Sequence, residues 1–295
     1  MAAGDRVTGT AQDETGDGDA QWVVADLVDA AAVRGAVESA APDLVYHLAG
    51  QPHVPQSWAD PAGTFHDNTA MTINLLESVR AVAPGARVVL VASGEMYGPP
   101  ERLPVDESAP LRPQNPYAVS KVATETIGQF YADAHGLHVV RARAFNHAGP
   151  GQPPIYAISS FARQVATGLL ADDDPVRVVT GNPDARKDYT DVRDVVEAYR
   201  LLADAPPDAY NVCSGRSIGI AEIVQRLGSV AGVAVDHVVD DALVRRHEVT
   251  EIRGARDRIT AVTGWEPRIP LETTLADAVE WWRGRLARDG ETVSR

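Results

Sequence analysis

Two side chains on one helical turn have the types and spacing for acid–base chemistry: Tyr117 and Lys121, in the run Asn115-Pro116-Tyr117-Ala118-Val119-Ser120-Lys121. Asn is a favoured N-cap and Pro suits the first helical position, so a helix starting here sets residues 117 and 121 at i and i+4 on one face. A phenol of pKa about 10 is a poor proton carrier at neutral pH, and a nearby ammonium favours the phenolate and moves it toward the working range. Alone, the pair is weak, because a Tyr and a Lys four apart are a routine surface pair. Upstream, however, the apolar run Val88–Ala92 ends in Ser93-Gly94-Glu95-Met96-Tyr97-Gly98. Residues just past the carboxyl end of a parallel strand face the ligand crevice, where Ser93 could hydrogen-bond a carbonyl or hydroxyl oxygen. Glu95 would point the same way if the chain stays extended. Ser, Gly and Glu also make ordinary turns, but a strand end, a Ser and Y-x-x-x-K in this order favour chemistry.

These residues need a scaffold, and the first half of the chain reads as one. Strands are expected at Arg6–Thr10, Gln21–Ala25, Leu44–Leu48, Arg87–Ala92 and His138–Ala142, with helices at Ala31–Ala40, Phe65–Val82 and Tyr117–Ala134. Apolar strands alternating with amphipathic helices indicate an α/β fold, a parallel sheet covered on both faces. The Gly/Asp-rich segment Asp13–Asp19 reads as a surface loop. From about Asn146 the pattern changes: a Gly/Pro loop to Pro154, a helix near Ala157–Gly168, strands at Val176–Thr180 and Ala209–Val212, and helices at Ile220–Ala231 and Leu271–Leu286. The expected organisation is a Rossmann-like domain over 1–150 and a smaller substrate lobe over 151–295, with some chain crossing between them.

Composition narrows the classes of function. The 295 residues are 44% hydrophobic and 23% charged, a globular profile. A formal net charge of -14 disfavours general nucleic-acid binding. The single cysteine, Cys213, excludes an internal disulfide framework and suits a reducing cytosol. No apolar stretch has the length of a membrane span and no signal-peptide pattern opens the chain, so a cytoplasmic protein is expected. The histidines lack paired ligand spacing, and no metal site is expected. His47, inside a buried strand, reads as a satisfied core histidine, Trp281-Trp282 as packing residues and Asp172-Asp173-Asp174 as a solvated loop.

Several motifs in order extend the picture: Ala25-Asp26-Leu27, Tyr46-His47-Leu48-Ala49-Gly50-Gln51, the Ser93 and Tyr117 segments, Phe145-Asn146-His147-Ala148-Gly149-Pro150-Gly151-Gln152, Asp188–Val195 and Thr263-Gly264-Trp265-Glu266-Pro267. With them the sequence resembles the extended short-chain dehydrogenases/reductases that act on nucleotide sugars, from Gly4 to the last helix. Within that family it is most similar to the branch of GDP-4-dehydro-6-deoxy-D-mannose reductases, next to the GDP-mannose 4,6-dehydratases, which typically have Thr where Ser93 stands.

The resemblance implies a role for each matching residue. Asp26 and Leu27 would border the adenine of an NAD(P)H cofactor, and Leu48, Ala49 and Gly50 would line its ribose–nicotinamide path. Lys121 would hold the nicotinamide ribose as well as tune Tyr117. Asn146 would contact the sugar nucleotide, while Arg186, Lys187 and Arg245 would meet the diphosphate. Lys187 replaces the family's usual Arg, which keeps the charge and loses the bidentate fork. For these basic residues a solvated surface face is the plain alternative. The implied reaction is reduction of the C4 ketone of a GDP-linked 4-keto-6-deoxy-hexose, with Tyr117 giving the proton and Ser93 orienting the carbonyl. A 4,6-dehydratase with Glu95 as base is the alternative, and a homodimer through the Tyr117 helix and its neighbour is implied by analogy. NADH and NADPH stay open, since the position near Gln12 has neither a clear Arg nor a clear Asp.

One family element is not found. A doubly wound dinucleotide fold opens with a strand, a Gly-rich turn and a helix whose N-terminus holds the pyrophosphate. Residues 1–10 instead read as the end of a helix followed by the second strand. The expectation is a sheet lacking its first strand-turn-helix because the sequence begins at an internal Met of a longer reading frame; an impaired, non-catalytic nucleotide-sugar binder is the alternative.

Overall fold

The computed structural model describes residues 4–12, 20–244 and 249–290. In chain order its elements are β1 Thr8–Ala11, β2 Gln21–Val24, α1 Ala30–Ala40, β3 Leu44–His47, α2 Val54–Ala59, α3 Pro61–Val82, β4 Arg87–Ser93, α4 Pro116–His135, β5 His138–Ala144 and β6 Asn146–Ala148. They continue with α5 Ala157–Leu170, β7 Val176–Thr180, β8 Arg186–Asp191, α6 Val192–Leu202, β9 Ala209–Val212, β10 Ser217–Gly219, α7 Ile220–Ala231, β11 Val235–Val239, α8 Asp257–Thr263 and α9 Leu271–Asp289. The expected loop at 13–19 lies outside the described residues.

Two compact units divide the chain, the first comprising Met1–Met96, Pro113–Arg143 and Leu202–Tyr210. Its main sheet has the order β3-β4-β5-β9, and β1 and β2 pair in parallel as a separate two-stranded piece. β3 and β4 are also parallel, with Leu44 opposite Arg87 and His47 opposite Leu90. Caps account for the helix starts. Asp29 accepts from Ala31 N and Ala32 N ahead of α1, and Asn115 accepts from Ala118 N at 2.8 Å ahead of α4, with Pro116 at its first position. α3 begins at Pro61, four residues before the apolar periodicity alone suggests, because Asp60 accepts from Gly63 N at 2.9 Å and Pro61 is preorganised for the first turn.

The core of this unit joins Val33 and Val37 of α1, Leu76 and Val79 of α3, Val88 and Leu90 of β4, Tyr131 of α4 and Val139 of β5. Each such aliphatic side chain contributes roughly 1.5–3 kcal/mol on burial. α4 comes unusually close to the sheet at Gly128, where a Cβ would lie 2.6 Å from Leu90 Cδ2 and 3.4 Å from Val139 Cγ1. Any larger residue there would push the helix off the strands.

The second unit comprises Tyr97–Arg112, Ala144–Leu201 and Asn211–Arg295. It holds the three-stranded sheet β10-β8-β6 and the parallel pair β11-β7. Its core is built from Phe161 and Val165 of α5, Ile223 and Leu227 of α7, and Leu275 and Trp282 of α9. Trp282 donates to Ser159 Oγ at 3.0 Å, and Arg163 lies 5.5 Å from its ring centroid. Strands as short as β6 and β10 leave no alternation for a sequence reading to find, and their pairing depends on β8. No helix among the described residues is long and apolar enough to cross a membrane, and no cluster of His, Cys, Asp and Glu among them could hold a metal.

Candidate active site

Tyr117 and Lys121 sit where α4 meets β4. Tyr117 and Lys121 are both buried, although a lysine ammonium is rarely removed from water without a partner. Lys121 Nζ donates to the Val91 carbonyl at 2.8 Å, two residues before Ser93 at the carboxyl end of β4. Burial pushes the Lys121 pKa down to about 8. Ser93 is buried, and its Oγ accepts from Glu95 N at 3.2 Å. The chain does not stay extended to Glu95, and the turn reading holds for this segment. Residues Gly94–Tyr97 form a 3-10 turn, which wraps the chain around Ser93, and the Glu95 carboxylate accepts from Asn115 Nδ2 at 3.4 Å. Asn115 therefore caps α4 with its oxygen and holds Glu95 with its nitrogen. Ser93, Glu95, Tyr117 and Lys121 thus share one end of β4 and α4 in the first unit.

A second layer of hydrogen bonds seats this group, through residues the sequence did not single out. Asn68 on α3 donates to Ser120 Oγ at 2.8 Å and accepts from Gln51 N at 2.7 Å. Ser120 Oγ in turn donates to the Tyr117 carbonyl at 2.8 Å. The loop after β3, the helix α3 and the first turn of α4 are thereby tied together by one buried amide. Gly50 sits against this amide: a Cβ there would lie 3.1 Å from Asn68 Oδ1 and 3.7 Å from Lys121 Nζ. Ser120 stands next to Lys121 and could have been weighed with it; Asn68 carries no local signal at all.

His47 is a core residue as expected. Its Nε2 is 3.1 Å from Thr72 Oγ1, and burial, with the Lys121 ammonium second, pushes its pKa down to about 3. It stays neutral at working pH and is no base. Asp26 is exposed and accepts from Val28 N at 3.0 Å, while Leu27 packs on the core of the first unit. Leu48 is exposed, and Ala49 and Gly50 are half-buried.

The remaining site residues lie in the second unit. Asn146 is half-buried on β6 and pairs in register with Tyr189 of β8. Arg186 and Lys187 start β8. Arg186 donates to the Ser217 carbonyl at 3.1 Å and lies 4.0 Å from Glu222; Lys187 donates to the Val249 carbonyl at 3.0 Å. Their strand is held by Asp188, fully buried, whose carboxylate accepts from Ser214 N, Ser214 Oγ, Gly215 N and Gly254 N at 2.6–3.2 Å. Arg245 lies outside the described residues.

Known proteins are similar to this chain in sequence and fold. The family model for GDP-mannose 4,6 dehydratase matches residues 3–278. The chain is 39% identical over 255 residues to GDP-6-deoxy-D-mannose reductase of Pseudomonas aeruginosa, covering 84% of this chain and 83% of that protein. It is 31% identical over 264 residues to GDP-mannose 4,6 dehydratase 1 of Arabidopsis thaliana, covering 86% and 72%. The solved structure of RMD from Pseudomonas aeruginosa complexed with NADPH superposes with a TM-score of 0.83 at 35% identity, covering 90% of this chain and 91% of that one. With Ser93, Tyr117 and Lys121 all inside the matched span, the chain belongs to the GDP-mannose 4,6-dehydratase family, within the extended short-chain dehydrogenases/reductases.

Proposed function

We propose that this chain is an NAD(P)H-dependent oxidoreductase that reduces the C4 ketone of a GDP-linked 4-keto-6-deoxy-hexose. The carrying observation is the seating of Lys121, a buried ammonium held on the Val91 carbonyl beside Ser93 and one turn from Tyr117. The likeness to a GDP-6-deoxy-D-mannose reductase supports the substrate class.

The residues fit the nicotinamide end of the cofactor. Gly50 leaves open the space beside Lys121 that a Cβ would fill, and one of the three N–H groups of Lys121 goes to Val91. A bound nicotinamide would supply the hydride. Leu48, Ala49, Gly50 and Lys121 would hold the ribose–nicotinamide end, and Asp26 and Leu27 the adenine. Tyr117 gives its proton to O4 of the sugar, Ser93 donates to the carbonyl oxygen and fixes its orientation, and the Lys121 charge favours the phenolate that Tyr117 becomes. Asn146, Arg186, Lys187 and Arg245 would receive the nucleotide sugar.

The test is stoichiometry. With a GDP-4-keto-6-deoxy sugar the chain is expected to consume one NAD(P)H per ketone, read at 340 nm. Dehydration of GDP-mannose without added reduced cofactor would overturn this in favour of a lyase using Glu95. Absence of NAD(P)H binding in a fluorescence titration would leave a nucleotide-sugar binder.

The pH dependence has a defined sign. The folded-state pKa of Lys121 is depressed to about 8, so its charge is present below that pH and lost above it. The turnover rate is expected to fall as pH rises through about 8, and a Lys121→Met variant is expected to be slower with that limb gone. A limb unchanged in the variant would contradict the assignment.

A homodimer and a reducing cytoplasmic setting go with this reading. Phe65 and Ile73 on α3, Val119 and Phe130 on α4, and Trp58 on α2 are each more than a third exposed in the first unit. An interface of standard size buries about 800 Å² per partner. Sedimentation is expected to give twice the 31.5 kDa chain mass, and a Phe130→Glu variant the single mass.

A further inference from the structure

Away from Tyr117 and Lys121, one side chain of α3 reaches the turn that joins β2 to α1. Asn74 Nδ2 donates to the carbonyls of Leu27 and Val28, at 3.0 and 2.8 Å. Asn74 is half-buried, and a side-chain amide has two N–H groups, so both are spent on these two oxygens. Carbonyls just ahead of a helix find no partner inside it. α1 takes up only the carbonyl of its cap, Asp29, which accepts from Val33 N at 3.0 Å. The plain role of Asn74 is to satisfy the two carbonyls before that cap. Water does as much at a half-buried turn, so satisfaction alone does not explain one side chain that takes both.

What the turn does with its N–H groups is more informative. A peptide group is planar and trans, so fixing its oxygen aims its N–H the opposite way. In the peptide between Leu27 and Val28, Asn74 holds the oxygen and the nitrogen donates to Asp26 Oδ1 at 3.0 Å. In the peptide between Val28 and Asp29, Asn74 holds the oxygen and the nitrogen donates to the Asp26 carbonyl at 3.0 Å. Both planes are pinned at both ends, and the donor that steadies the Asp26 carboxylate is one that Asn74 aims. Asp26 is exposed, and among the described residues only its Oδ1 is engaged. Leu27 packs on the core and Asp29 caps α1 through Ala31 N and Ala32 N, so Asn74 sets the stretch between two anchors.

We propose that Asn74 is a positioning residue for the cofactor: by fixing the peptides of residues 27–29 it holds the Asp26 carboxylate with one oxygen free to accept from the amino group of the adenine. The inference rests on the reading of Asp26 and Leu27 as the adenine end, and it assigns a role to a residue that touches neither cofactor nor substrate. The same helix carries Asn68 less than two turns earlier, whose amide accepts from Gln51 N at 2.7 Å and seats the loop that holds Gly50. α3 thus supports both ends of a bound dinucleotide, through Asn68 at the nicotinamide and through Asn74 at the adenine. A carboxylate that is not held beforehand must be ordered when the cofactor binds, and ordering one side chain weakens binding by up to about tenfold.

The test separates the two ends of the cofactor. Asn74→Leu removes both donors at nearly constant volume, and dissociation constants are read by fluorescence for NADH, NADPH and reduced nicotinamide mononucleotide, which has no adenine. The variant is expected to bind the dinucleotides about tenfold more weakly and the mononucleotide as the unaltered chain does. Its kcat at saturating dinucleotide is expected to stay within about twofold of the original. In an Asp26→Ala background, adding Asn74→Leu is expected to weaken binding by less than about twofold more, because the residue through which it acts is gone. Unchanged dinucleotide binding, an equal loss for the mononucleotide, or additive losses in the pair of variants would overturn the proposal, since general damage to the fold has no reason to spare the nicotinamide end. If Asn74→Leu does not fold, Asn74→Ser, which keeps one donor on a shorter side chain, takes its place and the same readings decide. An unaltered chain that binds neither dinucleotide would sink the cofactor reading and the proposal with it; one that binds them and loses nothing in the variant would sink the proposal alone.

Discussion

Replacing Tyr117 with Phe is expected to lower kcat by about 10²- to 10⁴-fold, the range lost when a positioned proton donor is removed. KM for the nucleotide sugar is expected to change by less than about threefold, because an interaction made only in the transition state lowers kcat and kcat/KM together. The fold should not suffer. Tyr117 is 9% exposed and keeps its ring in the variant, and the turn is held through its backbone, where Ser120 Oγ, itself held by Asn68, donates to the Tyr117 carbonyl. Steady-state kinetics with far-UV dichroism checks this. A kcat within tenfold of the original would mean that another group delivers the proton; Ser93 would then be the first to examine, at the end of β4 beside Lys121's anchor.

The largest expected loss of stability comes from Asp188. It is fully buried, and three backbone N–H groups and one hydroxyl converge on its carboxylate from residues 214, 215 and 254. Burial pushes its pKa up, while the converging donors oppose that rise. Asp188→Ala would strand those donors away from water, at about 1–3 kcal/mol for each that finds no new partner. A loss of about 3–5 kcal/mol is expected, or roughly 10 °C in Tm for a unit of this size. Asp188→Asn keeps the shape but turns one acceptor into a donor facing donors, so it should also destabilise, by less. Scanning calorimetry measures both, and a Tm within about 2 °C of the original would contradict the role of Asp188 as the hub of β8. Because β8 starts with Arg186 and Lys187, the same variant is expected to weaken nucleotide-sugar binding even where the chain stays folded.

Much of this protein was legible one segment at a time. Asn115-Pro116 announces the start of α4, the four-residue spacing puts Tyr117 and Lys121 on one face, and the Val-rich run ending at Ser93 announces β4. Caps, periodicity and β-branched runs act between neighbours in the chain, so a reader of the sequence has what is needed to find them. The exceptions are instructive: residues 94–97 fit an extended course or a turn equally well in sequence and fold as a 3-10 turn, and three-residue strands such as β6 have too few positions to alternate. Motif resemblance added the roles of residues scattered along the chain.

The tertiary structure alone decided which of these groups lost water and what replaced it. Lys121 carries the same charge in any helix; only its burial against Val91, thirty residues away, pushes its pKa down to about 8. Asn68 reaches Ser120 across fifty-two residues, and Asp188 gathers donors up to sixty-six residues away. Desolvation and hydrogen bonding of this kind depend on which surfaces pack together, and no local pattern encodes that. The sequence by itself thus determined the order of Ser93, Tyr117 and Lys121 and the face that the last two share, and packing determined their burial, their supports and the pairing of Glu125 with Arg143.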